Sequence, residues 1–440
     1  MADVSELGST GLRRAGGFVI EEFLPQLKHP HGARVYREMR DNDPTVGAIL
    51  FAIERTIGRL NWTITQGSDS PADIAAAEFI QEAIEDMSDS LDETISSILS
   101  MLPFGYSYHE IVYKIRGGDS DDPTRNSKYS DNKIGWRKWA IRAQETLYSW
   151  QFDENGQILA YIQMDPATGG FHEVPIDKAL LFRVTSNKNN PEGRSLLRNA
   201  YRPWYFKKRI EEIEATGIER DLAGMPVALV PSEILSPNAS AESKASLAAV
   251  TSLVQNIKRN QVEGVVFPSE RDEAGNLTYE LKLLNSGGAR NFDTDKIIGR
   301  YNQQIAMSVL ADFIFMGHEA NGSYALGVSK IDLWIMSVDA IAKNIATTIN
   351  TQAIPKLLRL NGMTVENLPK LTYGDVGSTD LIALGTYIMN LAQAGAIMPD
   401  DSLEAYLREV ADLPPADNPE VGMRLPKASP FAPASGTEGE

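Results

Sequence analysis

The sequence predicts an α+β fold, and three observations carry that reading. Helices with apolar stripes and N-terminal caps open the chain. A run of alternating strands with an Asn155-Gly156 turn follows. A small α/β stretch then lies between two long helical segments. The chain has 440 residues, 42% of them hydrophobic and 23% charged, enough for two or three packing units with a real core.

In the first segment, "DPTVGAILFAIERTIGRL" reads as a helix. Asp43 caps it, Pro44 suits its first turn, and Val46, Ile49, Leu50, Ile53 and Ile57 share one face. "NWTITQG" alternates as a strand. "SPADIAAAEFIQEAIEDM" and "LDETISSILSML" are capped amphipathic helices, and "YSYHEIVYKI" is a strand by its aromatic and β-branched content. Residues 117–133 lack apolar periodicity and read as a solvated loop. "LYSWQFDENGQILAYIQMD" is a hairpin and "ALLFRVT" a further strand.

From Ser195 to about Leu222 the pattern is one long helix, with Pro203 either a kink or the true start. Phe206, Ile210, Ile213, Gly217 and Ile218 form its narrow apolar stripe. A compact α/β insert runs from about Met225 to Asn285. "DTDKIIGRYNQQIAMSVLADFIFMG" is the next helix, starting at Asp293. "HEANGSYALGVS" is a polar connector. From Lys330 a long helix runs toward Pro355, about 35 Å at 1.5 Å per residue, and breaks there. Two more helices, around 380–394 and 400–411, precede a Pro/Ser/Gly-rich tail expected to be disordered.

Composition and motifs exclude several classes. The chain has no cysteine, so disulfides and thiolate metal sites are out. No signal-peptide core and no uninterrupted membrane-length apolar run occurs. There is no phosphate-binding G-x-x-x-x-G-K-[ST] loop, no H-E-x-x-H and no G-x-S-x-G. His109-Glu110 and His318-Glu319 each lack a second His. Asp119, Asp121, Asp122 and Asp131 lack the glycine and closing Glu of a calcium loop. No catalytic residue, cofactor or metal site is expected.

One stretch stands against the acidic whole. Asp and Glu number 59 against 42 Lys and Arg, a formal net charge of −17. Yet "LRNAYRPWYFKKRIEEIEA" interleaves Arg202, Lys207, Lys208 and Arg209 with Trp204 and Tyr205. That pattern fits nucleic-acid phosphates. It equally fits core aromatics flanked by bases that pair with neighbouring acids.

The order of elements resembles the portal proteins of tailed bacteriophages, most closely the Mu-like portal family. "NPEGRSLLRNAYRPWYFKKRIEE", "NFDTDKIIGRYNQQIAMSVLADFIFMG" and "GSYALGVSKIDLWIMSVDAIAKNIATTINTQAIPKLLRLNG" carry the resemblance, which covers residues 20–375. It implies a non-enzymatic ring of twelve copies at a capsid vertex, assembled in the host bacterial cytoplasm, whose channel passes double-stranded DNA in packaging and ejection. It also implies a parts list: an N-terminal arm (1–40), a wing (41–195), a first stem helix (196–224), a clip (225–288), a second stem helix (289–316), a channel loop (317–329), a long wing–stem helix (330–361), wing or crown helices (362–415) and a tail (416–440).

In the loop, His318, Glu319, Asn321, Ser323 and Tyr324 would face DNA, and Lys330 would offer a phosphate contact or an intersubunit ion pair. Lys258 and Arg259 would lie on the motor-docking clip. The basic-aromatic stretch would sit at the wing–stem junction, its bases meeting carboxylates of the next subunit. Implied partners are the large terminase, the major capsid protein with its scaffold, and a head–tail adaptor, with no membrane. A nuclease or recombinase, or another head–tail connector ring, is the alternative reading.

Overall fold

The structure is a computed structural model. It describes residues 8–223, 225–256, 271, 275, 277, 279–284, 293–312, 324–377, 385–386, 388–390, 403–404 and 407–408. For 219–223, 225–226, 253, 255–256, 282–284 and 324–328 it describes the backbone alone. The chain divides into two compact units, Met1–Gly374 and Asp375–Glu440. In the second, the described residues beyond 377 are short helical pieces, with Arg408 Nε donating to Glu404 Oε1 at 3.0 Å one turn away.

The first unit opens with a two-strand ribbon, β1 (Arg14–Ala15) and β2 (Phe18–Val19), then α1 (His31–Asn42) and α2 (Pro44–Gly58). α1 begins inside residues 1–40, which the resemblance implied were an N-terminal arm. α2 forms as its cap and stripe require. Asp43 Oδ1 accepts from the backbone N–H of Thr45 at 2.9 Å and of Val46 at 3.0 Å. Val46, Ile49, Leu50, Ile53 and Ile57 are all buried. β3 (Trp62–Thr65), α3 (Pro71–Glu85), α4 (Leu91–Ile98) and the short α5 (Met101–Phe104) follow. Ser90 and Glu93 close a reciprocal capping box at the start of α4.

Two three-stranded antiparallel sheets form the centre. One has the order β5 (Ile134–Arg142), β4 (Tyr106–Ile115), β9 (Ala179–Arg183). The other runs β6 (Leu147–Phe152), β7 (Ile158–Met164), β8 (Phe171–Pro175). Tyr106 and Tyr108 from the first pack against Leu147, Trp150, Tyr161 and Val174 of the second. Tyr108 stacks on Tyr161 at 4.8 Å, and Trp150 meets both edge-on. Such pairs contribute about 0.5–1.5 kcal/mol each beyond area burial.

The loop between β4 and β5 is tethered, not merely solvated. Buried Lys114 donates to the carbonyls of Asp86 at 2.5 Å and Asn126 at 2.7 Å. The Asp86 carboxylate accepts from Ser127 Oγ and the Lys128 N–H. Arg116, fully buried, pairs with Glu82 at 2.6 Å and Asp131 at 3.1 Å.

α6 (Tyr201–Ala223) starts close to Pro203, so the proline sits in the first turn and kinks nothing. β10 (Met225–Leu229), α7 (Ala241–Asn256) and β11 (Glu280–Leu284) form the described part of the insert, with β10 antiparallel to β11. α8 (Thr294–Met307) is capped by Asp293, as its sequence predicts, but ends well before residue 316. Leu310 adopts φ +59°, and the Ala311 N–H bonds back to the Ala306 carbonyl at 2.9 Å. That geometry closes a helix end in which glycine is usual.

α9 (Tyr324–Thr348) begins ahead of Lys330 and takes in the last residues of the expected connector. It does not break at Pro355. A π-helical turn, Ile349–Ala353, absorbs the missing N–H and leads into α10 (Ile354–Leu360). β12 (Lys370–Tyr373) returns to pair with β3. Three asparagines fasten this long helical run to the strands. Asn344 Nδ2 donates to the Arg183 carbonyl at 3.1 Å. Asn350 exchanges two bonds with the Leu371 backbone, at 2.7 and 3.0 Å. Asn361 does the same with Ile134, at 2.8 and 2.9 Å.

Candidate functional site

The basic-aromatic stretch lies in the first two turns of α6, where that helix meets α1 and α2. Trp204 is buried, and Tyr205 and Phe206 are 39% and 41% exposed. Phe206 stacks on Tyr301 of α8, centroids 6.4 Å apart. Further along, Thr294 Oγ1 donates to Glu214. Moving up α6 therefore moves down α8, and the two helices run antiparallel.

The bases are largely committed within the chain. Lys207 Nζ reaches Asp43 Oδ2 at 2.8 Å, with both side chains under 5% exposed. Lys208 pairs with Glu38 and lies 5.7 Å from the Trp204 ring centroid. The Glu38 hydrogen bond holds the Lys208 ammonium above its ordinary pKa. Just upstream, Arg198 grips Glu22 through two nitrogens, at 2.5 and 2.8 Å. Burial works to raise the Glu22 carboxyl, but the bonds from Arg198 and Leu24 outweigh it and hold the pKa low.

Arg209 pairs with Glu212 at 3.7 Å and covers Tyr205. Arg202 lies over Phe206, without an ion pair among the described residues. The expectation that these bases meet the next subunit is thus corrected for Lys207 and Lys208, whose acids come from α1 and from the cap of α2. The sequence reading named neither Glu22 nor Glu38 as a partner, because each lies over 150 residues from its base.

Beyond Lys207, α6 has no buried side chain among its described residues. Ile213 is 70% exposed and Ile218 45%. Met307 at the end of α8, and Ile331, Leu333 and Met336 on α9, are exposed as well. These are large apolar side chains left in water on three helices of one chain.

Residues 33–411 match the family model for the portal protein of Mu bacteriophage. The chain belongs to that family. It is a portal subunit, a structural component of the virion and not an enzyme, and it forms the channel at a capsid vertex through which DNA is packaged. Three solved structures are similar. The neck of an empty gene transfer agent particle computed with C6 symmetry shares 11% identity over 87% of this chain and 94% of that one, with a TM-score of 0.48. The neck of a native particle computed with C12 symmetry gives 10%, 87%, 94% and 0.49. An HK97 family phage portal protein from Corynebacterium diphtheriae gives 14%, 75%, 92% and 0.39.

Of the expected DNA-facing residues, Lys330 is described. Its ammonium sits 2.6 Å from Asp312 Oδ2, so it is held by the chain's own carboxylate. Tyr324 is the first residue of α9. His318, Glu319, Asn321 and Ser323, and Lys258 and Arg259 of the insert, lie outside the described residues. His109 takes no metal-ligand geometry. Its Nε2 meets Ser107 Oγ at 2.6 Å and its Nδ1 the Trp139 carbonyl at 3.2 Å. Burial pushes its pKa down to about 4. Among the described residues, no cluster of His, Asp and Glu could hold a metal.

Proposed function

We propose that the antiparallel α6–α8 pair is the stem of a twelve-membered ring, and that the apolar side chains it leaves in water are covered by the neighbouring copies. Ile213 carries the reading: a β-branched side chain 70% exposed in mid-helix. Burying it fully against a neighbour contributes about 1.5–3 kcal/mol per contact, repeated around the ring. Residues 41–195 are the wing, and the long helical run from residue 330 through α10 joins the stem to it. The Lys207–Asp43 pair fixes the stem to the wing, and the Lys208–Glu38 pair fixes it to the arm.

On the same reading, residues 225–288 are the clip. It docks the large terminase through a surface that includes Lys258 and Arg259, and later the head–tail adaptor. The segment 317–329 lies at the channel's narrowest point, with His318, Glu319, Asn321, Ser323 and Tyr324 toward the DNA. The wing faces the major capsid protein and scaffold. The acidic bulk suits a bore that must guide a polyanion without gripping it.

Electron microscopy of the purified protein tests the core of this. The wild type should give rings with a central hole. Ile213→Glu, which leaves every described contact of the monomer in place, should give monomers of unchanged helix content. Intact rings from that variant would reject the stem assignment.

A further inference from the structure

In a chain of net charge −17, one groove is lined without a single carboxylate. It measures about 310 Å3 and lies between the second half of α9 and the end of β9. Arg183, Ser186, Lys343, Asn344, Thr347 and Gln352 line it. Arg183 is half-buried, and burial lowers its pKa with no acid to counter it. One guanidinium nitrogen, Nη1, donates to Asn189 Oδ1 at 3.0 Å and the Asn190 carbonyl at 3.2 Å. Nε and Nη2 have no protein partner among the described residues.

Those two acceptors come from a strained turn. Lys188 and Asn189 are consecutive non-glycine residues at φ +56° and +55°. Such backbone is held only where the surroundings demand it. Here it aims a neutral amide and a carbonyl at Arg183, orienting the fork without neutralising it. Lys343, exposed on α9, has no ion pair among the described residues. Asp339, one turn earlier, instead accepts from the Tyr373 hydroxyl at 3.0 Å. Ser186 Oγ and the Gln352 amide add two neutral donors with no partner of their own among the described residues.

We propose that this groove binds an oxyanion, and that its occupant is a backbone phosphate of duplex DNA. A planar fork with a free edge, an ammonium and two neutral donors is the set that recognises phosphate. A lone carboxylate would be neutralised by one of the two cations. A polyanion with a charge every ~1.7 Å of axis can occupy both. The choice of DNA rests on the family's function in packaging DNA, whereas the oxyanion chemistry stands on the groove itself.

The test uses purified full-length protein and a short labelled duplex, with affinity measured over a series of salt concentrations. Arg183→Gln with Lys343→Gln should make the slope of log affinity against log salt shallower by at least about one, the release expected for one phosphate contact. Arg183→Lys should keep the slope and weaken binding. Lys343→Gln alone changes only an exposed side chain, so it reports even if the double variant misfolds, and it too should flatten the slope. Inorganic phosphate, followed by thermal shift, should stabilise the wild type and not the double variant.

An unchanged slope in Lys343→Gln overturns the proposal. So does loss of the phosphate response with duplex binding intact, which would mean a small-anion site. Rings lost with duplex binding intact would make the groove a contact between copies and overturn it too. Micrographs of the wild type separate this from the portal reading, because rings that form normally while the slope stays unchanged sink only the groove.

Discussion

Asp43 and Lys207 join two helices through one carboxylate. Oδ1 caps α2, while Oδ2 takes the buried ammonium of α6 at 2.8 Å. Thr45, in the first turn that Asp43 caps, also reaches Asn302 of α8 at 3.0 Å. α6 and α8 therefore converge on one helix N-terminus.

Breaking this pair from one side should be severe. Lys207→Met leaves Asp43 buried with two of its three donors, and Asp43→Ala leaves the buried ammonium only the longer contact to Glu211 at 3.9 Å and removes the cap. Each should cost about 3–5 kcal/mol, with the cap accounting for about 1 of that in Asp43→Ala. Denaturant midpoints for the two single variants and the double should show strong coupling. Additive effects would mean that the two side chains do not interact.

Two carboxyls lining one cleft, Glu22 and Glu192, should respond to pH with opposite sign. Glu22 is held below its ordinary value of 4.5, so its contribution is present above that pH and is lost as pH falls through the lower folded value. Glu192 is pushed up to about 7 by burial, with only the Trp150 indole lowering it. Its contribution is full below about 4.5 and is lost as pH rises toward 7. Glu192→Gln should flatten the fall in stability between those limits in thermal unfolding. A slope there identical to the wild type's would contradict the assignment.

Leu310 holds a left-handed backbone with its side chain 45% exposed. Leu310→Gly should relieve strain of about 1–2 kcal/mol while losing little burial. The expected result is a higher unfolding midpoint, whereas Leu310→Val should lower it.

The strand-gripping asparagines can be separated chemically. Asn350→Ala removes both bonds to Leu371 and should cost about 1–3 kcal/mol for the groups left unsatisfied. Asn350→Asp keeps an acceptor for the Leu371 N–H but sets a carboxylate oxygen against its carbonyl. It should be at least as damaging as Ala. Hydrogen exchange at the Leu371 amide reads the difference, since Asp should still protect that N–H and Ala should not.

What was legible in the sequence was local. The Asp43 cap, the Ser90/Glu93 box and the stripe from Val46 to Ile57 all follow from spacing. β5 was missed because its buried residues, Trp136 and Trp139, are three apart. A register shift opposite Val112 and Tyr113 breaks the period of two. The end of α8 was missed because leucine gives no stop signal where glycine would. The basic-aromatic stretch left two readings open, since its acids Glu38 and Asp43 are remote in sequence. Folding decided the fate of Lys207 and Lys208, and spacing could not.

Asn350 and Asn361 grip only main chain. The bonds they make would be the same if Leu371 or Ile134 were any other residue except proline at either position. A substitution at either position therefore leaves the bonds that seat the long helix in place, and only the packing of a buried side chain such as Leu371 limits it. Substitutions at the two asparagines are the ones the architecture cannot absorb.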